Sequence, residues 1–284
     1  DLNVPLVNGR ITDHSRIDTI VPSIKKLTMS KNKIFILAHF GRPNGTASKQ
    51  LSTRFLCKAL KQKLGTSKIH FLKSFDRKEI LKKQKEMNSG EVCLFENVRF
   101  FKEEESNDLI FSKNLSSCFE IYVNEAFSAS HRVHSSIVGF PNFLPSFAGL
   151  NFVNEINNLN RFLIKAKKPN LAIIGGSKIS TKIKVINHLI NLFDSIIIGG
   201  AMANTFLSAK KFEIGKSIYE KKYTEIADEI LMKAKKKNCK IVLPIDAVCS
   251  KKLENNISVI KCDIDKIPIN QMVLDIGEKT INLI

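Results

Sequence analysis

The chain has 284 residues and carries 45 lysines and arginines against 27 aspartates and glutamates, a formal net charge of +18 at pH 7. At about 100–200 residues per domain, this length predicts two domains, each able to bury a core. Hydrophobic residues make up 43% of the chain and charged residues 25%, which excludes intrinsic disorder. The basic residues are spread over both halves, so the charge favours attraction of small anions over a dedicated nucleic-acid surface.

Short apolar, β-branched runs alternate with amphipathic stretches along nearly the whole chain. The strand-like runs are residues 33–38, 68–72, 91–95, 120–123, 170–174, 194–198 and 240–243. The amphipathic stretches include residues 16–27, 53–64, 178–193 and 221–236. This alternation of strand and helix predicts an α/β fold, with parallel sheets covered by helices on both faces.

A domain boundary is expected near residue 150. Residues 139–149 contain glycine and proline and precede a polar helical pattern over residues 154–167, and a fresh strand–helix series begins at Asn170. We therefore predict a first domain over 1–150, a joining helix within 151–168 and a second domain over 169–284. In such sheets ligands bind outside the carboxyl ends of the strands.

The cysteines and the one long uncharged stretch argue against a disulfide-rich protein and against a membrane-spanning one. Six cysteines lie far apart with no Cys-x-x-Cys pair, which favours free thiols in the cytoplasm over a disulfide framework. Residues 135–154 carry no charge, but they contain Pro141 and Pro145 among several asparagines and serines, so we do not expect a membrane span.

Basic and polar side chains follow three predicted strands of the first half, at the point where each strand ends. They are His39, Gly41 and Arg42, then Glu96, Asn97 and Arg99, then Asn124, Glu125, His131 and Arg132, with Arg16 at a helix start. Guanidinium groups bind carboxylate and phosphate through paired hydrogen bonds, so the set fits a small acid that bears both groups. One arginine alone is more often a surface side chain, but three at successive strand ends favour a binding site.

The histidines of the first half allow more than one interpretation. His131 and His134 have a spacing that suits metal ligands, but no third ligand accompanies them, so structural or anion-contacting histidines are favoured. His39 is a candidate general acid or base, because histidine titrates near neutrality. A neutral hydrogen-bond donor to a substrate oxygen is the alternative for this residue.

The second half has a glycine pair at residues 175–176 and another at 199–200, each at the end of a predicted strand. Such pairs let a ligand approach the backbone. A helix predicted to open at Ile179 offers free N–H groups to phosphate and places Lys178 and Lys182 on one face. The run GGSKIS has neither P-loop nor dinucleotide spacing, so a nucleotide platform and an ordinary glycine-containing turn both stay open.

Eight stretches read, in chain order, DLNVPL, ITDHSRI, LAHFGRP, LFENVRF, YVNEAFSASHRVHSS, AIIGGSKISTKI, IIIGGAMANTF and LPIDAV. In this order and spacing they resemble the phosphoglycerate kinase family, and the resemblance runs from Asp1 to about Gly277. It implies two Rossmann-like, doubly wound parallel-sheet domains joined by a helix, the second of them incomplete in this chain.

The resemblance also implies roles for individual residues. In the first domain it implies that the hydroxy-acid substrate is bound by Asp1, Leu2, Asn3, Arg16, His39, Phe40, Gly41, Arg42, Arg99 and Arg132. In the second domain it implies nucleotide contacts by Gly176, Lys178, Lys182, Gly199, Gly200 and Gly277. Among these residues, Arg16, Lys178 and Lys182 are expected to stabilise the phosphoryl group during transfer.

The implied reaction is reversible phosphoryl transfer between ATP and the carboxylate of 3-phosphoglycerate, giving 1,3-bisphosphoglycerate and ADP, in a cytoplasmic monomer. Mg²⁺ would accompany the nucleotide, and its protein ligand is expected beyond Ile284 rather than in this chain. The chain therefore resembles an internal fragment that we expect to be inert by itself. Glu125 and Glu278 depart from the family's pattern without removing a named residue.

Nucleic-acid binding, a function of a different class, is suggested only by the net charge of +18. The sequence has no recognition helix, zinc finger or aromatic-rich RNA motif, and it contains no tryptophan. Neither a nucleic acid nor a membrane is therefore expected as a partner.

Overall fold

The predicted alternation of strands and helices is present in the computed structural model, which describes residues 1–66, 68–163, 167–254 and 256–284. Each of the seven predicted strands occurs within about two residues of its expected position. The α/β class that the sequence predicts is therefore confirmed.

The chain divides into two compact units, Asp1–Leu159 and Asn160–Ile284, named unit 1 and unit 2 below. The division falls inside a helix that spans Leu150–Leu163, whereas the sequence pattern places that helix at residues 154–167. The end of the predicted helix, and part of the predicted joining segment 151–168, fall on residues 164–166, outside the described residues.

The described residues of unit 1 contain seven strands, five whole α-helices and most of a sixth. In chain order they are β1 (Leu6–Val7), β2 (Arg10–Ile11), α1 (Ser15–Met29), β3 (Ile34–Ile36), α2 (Leu56–Leu64), β4 (Ile69–Leu72), α3 (Arg77–Glu86), β5 (Val92–Phe95), α4 (Lys102–Glu105), α5 (Leu109–Ser116), β6 (Tyr122–Asn124), β7 (Ser146–Ala148) and α6 (Leu150–Leu163). β1 and β2 form an antiparallel pair, and β6 and β7 a parallel pair.

The main sheet of unit 1 is parallel, with β5 between β3 and β4. All four side chains of β5 are buried, and alternate ones point to opposite faces. Val92 and Leu94 pack with apolar residues of α1 and α2, while Cys93 and Phe95 pack with those of α3 and α5. Both faces of this sheet are covered by helices, as the uninterrupted apolar run of β5 predicts.

Unit 2 contains six strands and four whole helices among its described residues. In chain order they are β8 (Leu171–Gly175), α7 (Ile183–Leu189), β9 (Ser195–Gly199), α8 (Met202–Ala209), α9 (Thr224–Lys236), β10 (Lys240–Val242), β11 (Asp246–Ser250), β12 (Ile260–Asp263), β13 (Met272–Ile276) and α10 (Glu278–Leu283). β9 lies between β8 and β10 in a parallel sheet.

One face of β8 is exposed, whereas the sequence pattern predicts helices on both faces of the sheet. Ala172 and Ile174 contact the apolar cluster formed with α7, α8 and α9. Leu171 and Ile173 point to the opposite side and are 45% and 69% exposed. Among the described residues, the expected cover by helices on both faces is therefore not found for this strand, because its second face packs against none of the apolar clusters.

A second sheet in unit 2 was not predicted from the sequence. β11 pairs antiparallel with both β12 and β13, and Ala247 and Cys249 of β11 are fully buried. Leu207 from α8 and Ile264 pack in the same cluster. The apolar runs of these strands are short, so their pairing depends on contacts between segments that lie far apart in the sequence.

The described ranges contain no helix that is long and apolar enough to cross a bilayer. All six cysteines are free thiols, as the spacing of the cysteines predicts.

Candidate functional site

The Asp1 carboxylate brings together side chains from three elements of unit 1. Its Oδ2 accepts hydrogen bonds from Arg16 NH1 at 2.5 Å and from Ser128 Oγ at 2.7 Å, and its Oδ1 lies 3.8 Å from His39 Nδ1. Arg16 lies in the first turn of α1, His39 follows β3, and Ser128 follows β6. Groups at the carboxyl ends of strands thus meet, as the fold class leads one to expect.

Arg99 is the most deeply buried cation of this group, with 3% of its surface exposed. Its NH1 donates to the Gly41 carbonyl at 3.2 Å, and its Nε lies 3.5 Å from Glu105 Oε1 without forming a hydrogen bond. Gly41 also donates its N–H to Asn3 Oδ1 at 3.1 Å. The loop after β3 is therefore tied to Asn3 on one side and to Arg99 on the other.

Gly41 itself is required by the shape of this loop. Its φ of +62° lies in the left-handed region that favours glycine. A Cβ at this position would lie 2.8 Å from Leu51 Cδ2. The backbone of the loop, rather than a side chain, is thus what residue 41 can present to a ligand.

Asn97 organises the same region, a role that the sequence alone did not reveal. It is fully buried, and its Nδ2 donates to the carbonyls of Phe40 at 2.7 Å and Leu51 at 2.8 Å. Its Oδ1 accepts from the Arg99 N–H at 3.1 Å. One side chain therefore sets the loop after β3 and the first residues after β5 in fixed positions.

Burial and neighbouring positive charges act on His39 and Arg99 in unit 1. Burial lowers the pKa of His39 to about 3, and the charges of Arg99 and Arg132 add to this effect. Burial also lowers the pKa of Arg99, with Arg132 and Arg42 contributing. His39 is consequently neutral at pH 7, which favours its role as a hydrogen-bond partner, and a bound anion would relieve the repulsion among the arginines.

Two residues predicted as substrate contacts pack mainly against other side chains of the protein. Leu2 is 1% exposed within the core formed with α1 and α2, so its side chain has no access to a ligand. Phe40 packs edge-on against Phe55, with 4.9 Å between the ring centroids. Arg42 and Arg16 are exposed, and Arg132 is half-buried.

His131 and His134 do not form a metal centre with other residues of the described ranges. No group of three His, Cys, Asp or Glu side chains there is placed to hold an ion. His134 Nδ1 lies 3.7 Å from Glu104 Oε1, and the Glu104 carboxylate also accepts hydrogen bonds from the N–H and Oγ of Ser136. These contacts agree with a structural or anion-contacting histidine.

Glu125, one of the two departures from the family's pattern, supports the start of α6. Its Oε1 accepts hydrogen bonds from Ser23 Oγ and from the Asn151 N–H, the latter at 3.2 Å, and its Oε2 accepts from the Phe152 N–H at 3.2 Å. A carboxylate at a helix N-terminus satisfies free N–H groups and is stabilised by the helix dipole. This explains why α6 begins four residues earlier than the sequence pattern predicts.

The glycine pairs of unit 2 lie side by side at the ends of β8 and β9, where Gly175 is in register with Gly199. Open space adjoins both of these residues where a Cβ would be. Gly200 has a φ of +70°, and a Cβ there would lie 2.8 Å from the Gly176 carbonyl oxygen. The pairs thus allow two loops to approach each other and leave room beside the strand ends.

Lys178 and Lys182 do not share a helical face, and that expectation is wrong. α7 begins only at Ile183, so Lys178 lies in the preceding loop and Lys182 is the residue before the helix. The fully buried Ile179 anchors a tight turn in which its carbonyl accepts from the Lys182 N–H at 2.8 Å. The same carbonyl also accepts from the Ile183 N–H at 3.0 Å, so this turn leads directly into α7.

Gly277 lies apart from the glycine pairs, at the end of β13 in the antiparallel sheet. Its N–H donates to the Asp246 carbonyl at 3.1 Å, and a side chain at 277 would collide with the Asp246 carboxylate. That carboxylate accepts hydrogen bonds from the N–H groups of Lys279 at 2.9 Å and Thr280 at 2.8 Å. Glu278, the second residue that departs from the family's pattern, is exposed, and its Oε2 lies 3.8 Å from Lys261 Nζ.

One unit has a cluster of basic groups at its strand ends and the other has paired glycines and lysines, an arrangement typical of α/β proteins that bind small anions at the carboxyl ends of their strands. This class follows from the placement of the groups and not from the net charge.

Comparison with known proteins identifies the family within this class. The family described as phosphoglycerate kinase matches residues 1–284. The phosphoglycerate kinase of Chelativorans sp. is 41% identical over 281 residues, with 99% of this chain and 70% of that protein covered. That of Orientia tsutsugamushi is 43% identical over 286 residues, with 99% and 69% covered. The chain spans about 70% of the length of these relatives.

Solved structures agree with this result. The structure of phosphoglycerate kinase from Coxiella burnetii has a TM-score of 0.81 at 34% identity and covers 100% of this chain and 71% of its own. The enzyme from Pyrococcus horikoshii has a TM-score of 0.83 at 28% identity, with 100% and 72% covered. The chain belongs to the phosphoglycerate kinase family, glycolytic phosphotransferases that use ATP or ADP, typically with Mg²⁺.

Gly200→Ala tests the close approach of the two glycine loops. We expect the free energy of unfolding to fall by about 1–3 kcal/mol, because the residue would be strained at positive φ and crowded by Gly176. Gly199→Ala is the matched control, since it opens into free space, and should cost less than about 1 kcal/mol. Urea denaturation measures both, and equal losses would contradict the assignment.

The pH dependence of stability tests the state of His39. Between its folded pKa of about 3 and its ordinary value of 6.5, the unfolded chain binds a proton that the folded chain does not. Acid therefore destabilises the fold over this range, by at most about 1.4 kcal/mol per pH unit from this group. His39→Gln should remove this part of the slope in urea denaturation from pH 7 to 4, while exposed His188→Gln should keep it.

Proposed function

We propose that this chain binds 3-phosphoglycerate in unit 1 and ATP or ADP in unit 2, and that the reaction these two sites serve is reversible phosphoryl transfer between ATP and the substrate carboxylate. The products are 1,3-bisphosphoglycerate and ADP. The observation that supports this most strongly is the placement of basic groups at the strand ends of unit 1: buried Arg99 bonds to the Gly41 loop, and Arg16 and His39 lie beside the Asp1 carboxylate. A ligand with both a phosphate and a carboxylate would satisfy such a cluster.

The proposed roles in unit 1 follow from the polar groups that each residue has available for a ligand. Arg42, Arg99 and Arg132 bind the phosphate and the carboxylate. Asp1 holds Arg16 through its Oδ2 and, together with Asn3, provides oxygens for the substrate hydroxyl. Neutral His39 donates a hydrogen bond, the Gly41 loop presents its backbone, and Leu2 and Phe40 hold the neighbouring chain in place.

In unit 2, Gly176, Gly199 and Gly200 provide the surface against which the nucleotide lies, and Lys178 and Lys182 contact its phosphates. Open space next to Gly199 and the exposure of Lys178 support these roles. Gly277 would take part from the antiparallel sheet through its backbone, since its Cβ position is filled by Asp246.

The reaction requires little covalent chemistry from the protein. A carboxylate nucleophile is already ionised at pH 7, so no general base is needed. Catalysis then rests on alignment of the reactants and on cations that stabilise the charge of the transferring group. We assign this stabilisation to Arg16, Lys178 and Lys182, whose side-chain cations are placed at loops and helix starts next to strand ends.

Mg²⁺ would serve the reaction by neutralising nucleotide phosphates. Within the described ranges no cluster of three candidate ligands exists. The Glu220 carboxylate, which contacts the loop that carries Lys178 and Lys182, already accepts two hydrogen bonds from Ser180. The described residues therefore do not fit a protein cage for the metal, and none is assigned as its ligand.

The proposed setting is a cytoplasmic monomer whose partners are these small molecules, with neither nucleic acid nor membrane among them. Six free thiols support a reducing compartment.

Calorimetric titration of 3-phosphoglycerate into the chain tests the proposed substrate site. We expect Arg132→Ala to weaken binding roughly 10–100-fold, because a charge-assisted hydrogen bond to an ionic group contributes about 1.5–3 kcal/mol. Arg10→Ala removes the same charge from an exposed site and should leave affinity within about twofold at 0.15 M salt. Equal effects of the two variants would show that only net charge attracts the ligand.

A coupled assay of ATP-dependent phosphoryl transfer tests the reaction itself. The sequence-based prediction is that the chain alone gives no steady turnover. Steady turnover would contradict that prediction and would demonstrate the proposed reaction directly.

A further inference from the structure

We propose that Glu220 is a positioning residue for the lysine loop, defined as residues 176–182. By holding Ser180, it fixes the turn that separates Lys178 from Lys182. The inference rests on the proposed contact between these lysines and nucleotide phosphates, and it adds a residue that neither the motifs nor the strand ends pointed to.

Both oxygens of the Glu220 carboxylate bind the same residue. Oε2 accepts from the Ser180 N–H at 2.9 Å, and Oε1 accepts from Ser180 Oγ at 2.7 Å. A pair of bonds to one residue fixes orientation as well as distance, and a bond to an ionised acceptor is stronger than one between neutral groups. The two residues are 40 positions apart, so this contact is made only in the folded unit.

Glu220 is itself held by the buried part of α8. Its N–H donates to Thr205 Oγ1 at 3.1 Å, and Asn204 Nδ2 donates to the carbonyl of Ile218 at 3.0 Å. Asn204 and Thr205 are buried. α8 begins two residues after Gly200, so a rigid helix at one glycine loop supports the segment that holds the other.

The lysine loop is held at points on both sides of Ser180. Ile179 is anchored in the core, and Thr181 Oγ1 donates to the Lys178 carbonyl at 3.0 Å. The Glu220 contact adds a link from Ser180 to a segment 40 positions away. Burial raises the pKa of the Glu220 carboxyl, but the hydrogen bonds from Ser180 and the charge of Lys178 outweigh it, so the pKa lies below its usual value.

The consequence for binding is one of preorganisation. If the turn is fixed before the nucleotide arrives, less ordering entropy is lost on binding. Replacing Glu220 should therefore weaken nucleotide affinity without any direct contact to the ligand. The acid-binding residues of unit 1 should be unaffected.

The test measures ADP affinity by calorimetry for the wild-type chain and for Glu220→Gln and Ser180→Ala. Glu220→Gln keeps the size of the side chain and removes its charge. Glu229→Gln makes the same change at an exposed position of α9. Ile230→Val is a control for stability, because it removes one methyl group from the buried side of α9 and lowers the melting temperature without touching the loop.

We expect Glu220→Gln to weaken ADP binding on the order of 10-fold, as loss of a hydrogen bond to a charged group does. Ser180→Ala should weaken it less, and the double variant should lose less than the two single losses combined. Glu229→Gln and Ile230→Val should bind ADP like the wild type, and 3-phosphoglycerate affinity should stay unchanged in all variants.

Three results would overturn the inference, and each is distinct. Wild-type ADP affinity in Glu220→Gln would remove the positioning role while leaving the nucleotide site intact. Loss of affinity in Ile230→Val in proportion to its melting temperature would show a general stability effect. Absence of ADP binding by the wild-type chain would refute the proposed role of the lysines, and the positioning role would be refuted with it.

Discussion

The parallel pairing of one buried strand in each unit is the constraint on which both sites depend. β5 is hydrogen-bonded on both edges, to β3 and β4, and β9 likewise to β8 and β10. Because the strands run in one direction, the loops that follow β3 and β5, and those that follow β8 and β9, come together at one end of each sheet. Slipping one strand by a residue would exchange its side chains between the two packed faces and shift the loop that follows it. The positions of Arg99 and of the glycine pairs follow from this pairing.

The proposed sites carry different cations, and burial gives a physical reason. A guanidinium stays charged when it is buried, whereas a buried ammonium readily loses its proton. In unit 1 the buried cation is Arg99, and in unit 2 Lys178 is exposed. His39 fits the same picture, because burial and the charges of Arg99 and Arg132 both disfavour its protonated form.

Residues that act on other protein residues were harder to recognise than residues that would touch a ligand. Asn97, Ser128 and Glu220 each place a residue that the motifs do identify. Ser128 contacts Asp1 across 127 positions, and Asn97 contacts Phe40 across 57. Nothing in the local pattern around such residues reports a partner that distant. The same limit explains the antiparallel sheet of β11–β13, whose strands lack long apolar runs.

The sequence by itself determined the α/β class and seven of the eight described strands that pair in parallel, because apolar periodicity is a local property; it missed the short and exposed β7. Its motifs also determined the family. Tertiary structure decided which backbone turns the charged groups occupy: Lys178 and Lys182 lie in a turn before α7, and Glu125 accepts hydrogen bonds from the first turn of α6, which begins at Leu150. These outcomes depend on which distant side chains satisfy a buried apolar surface or a free N–H group, and only the folded chain brings them together.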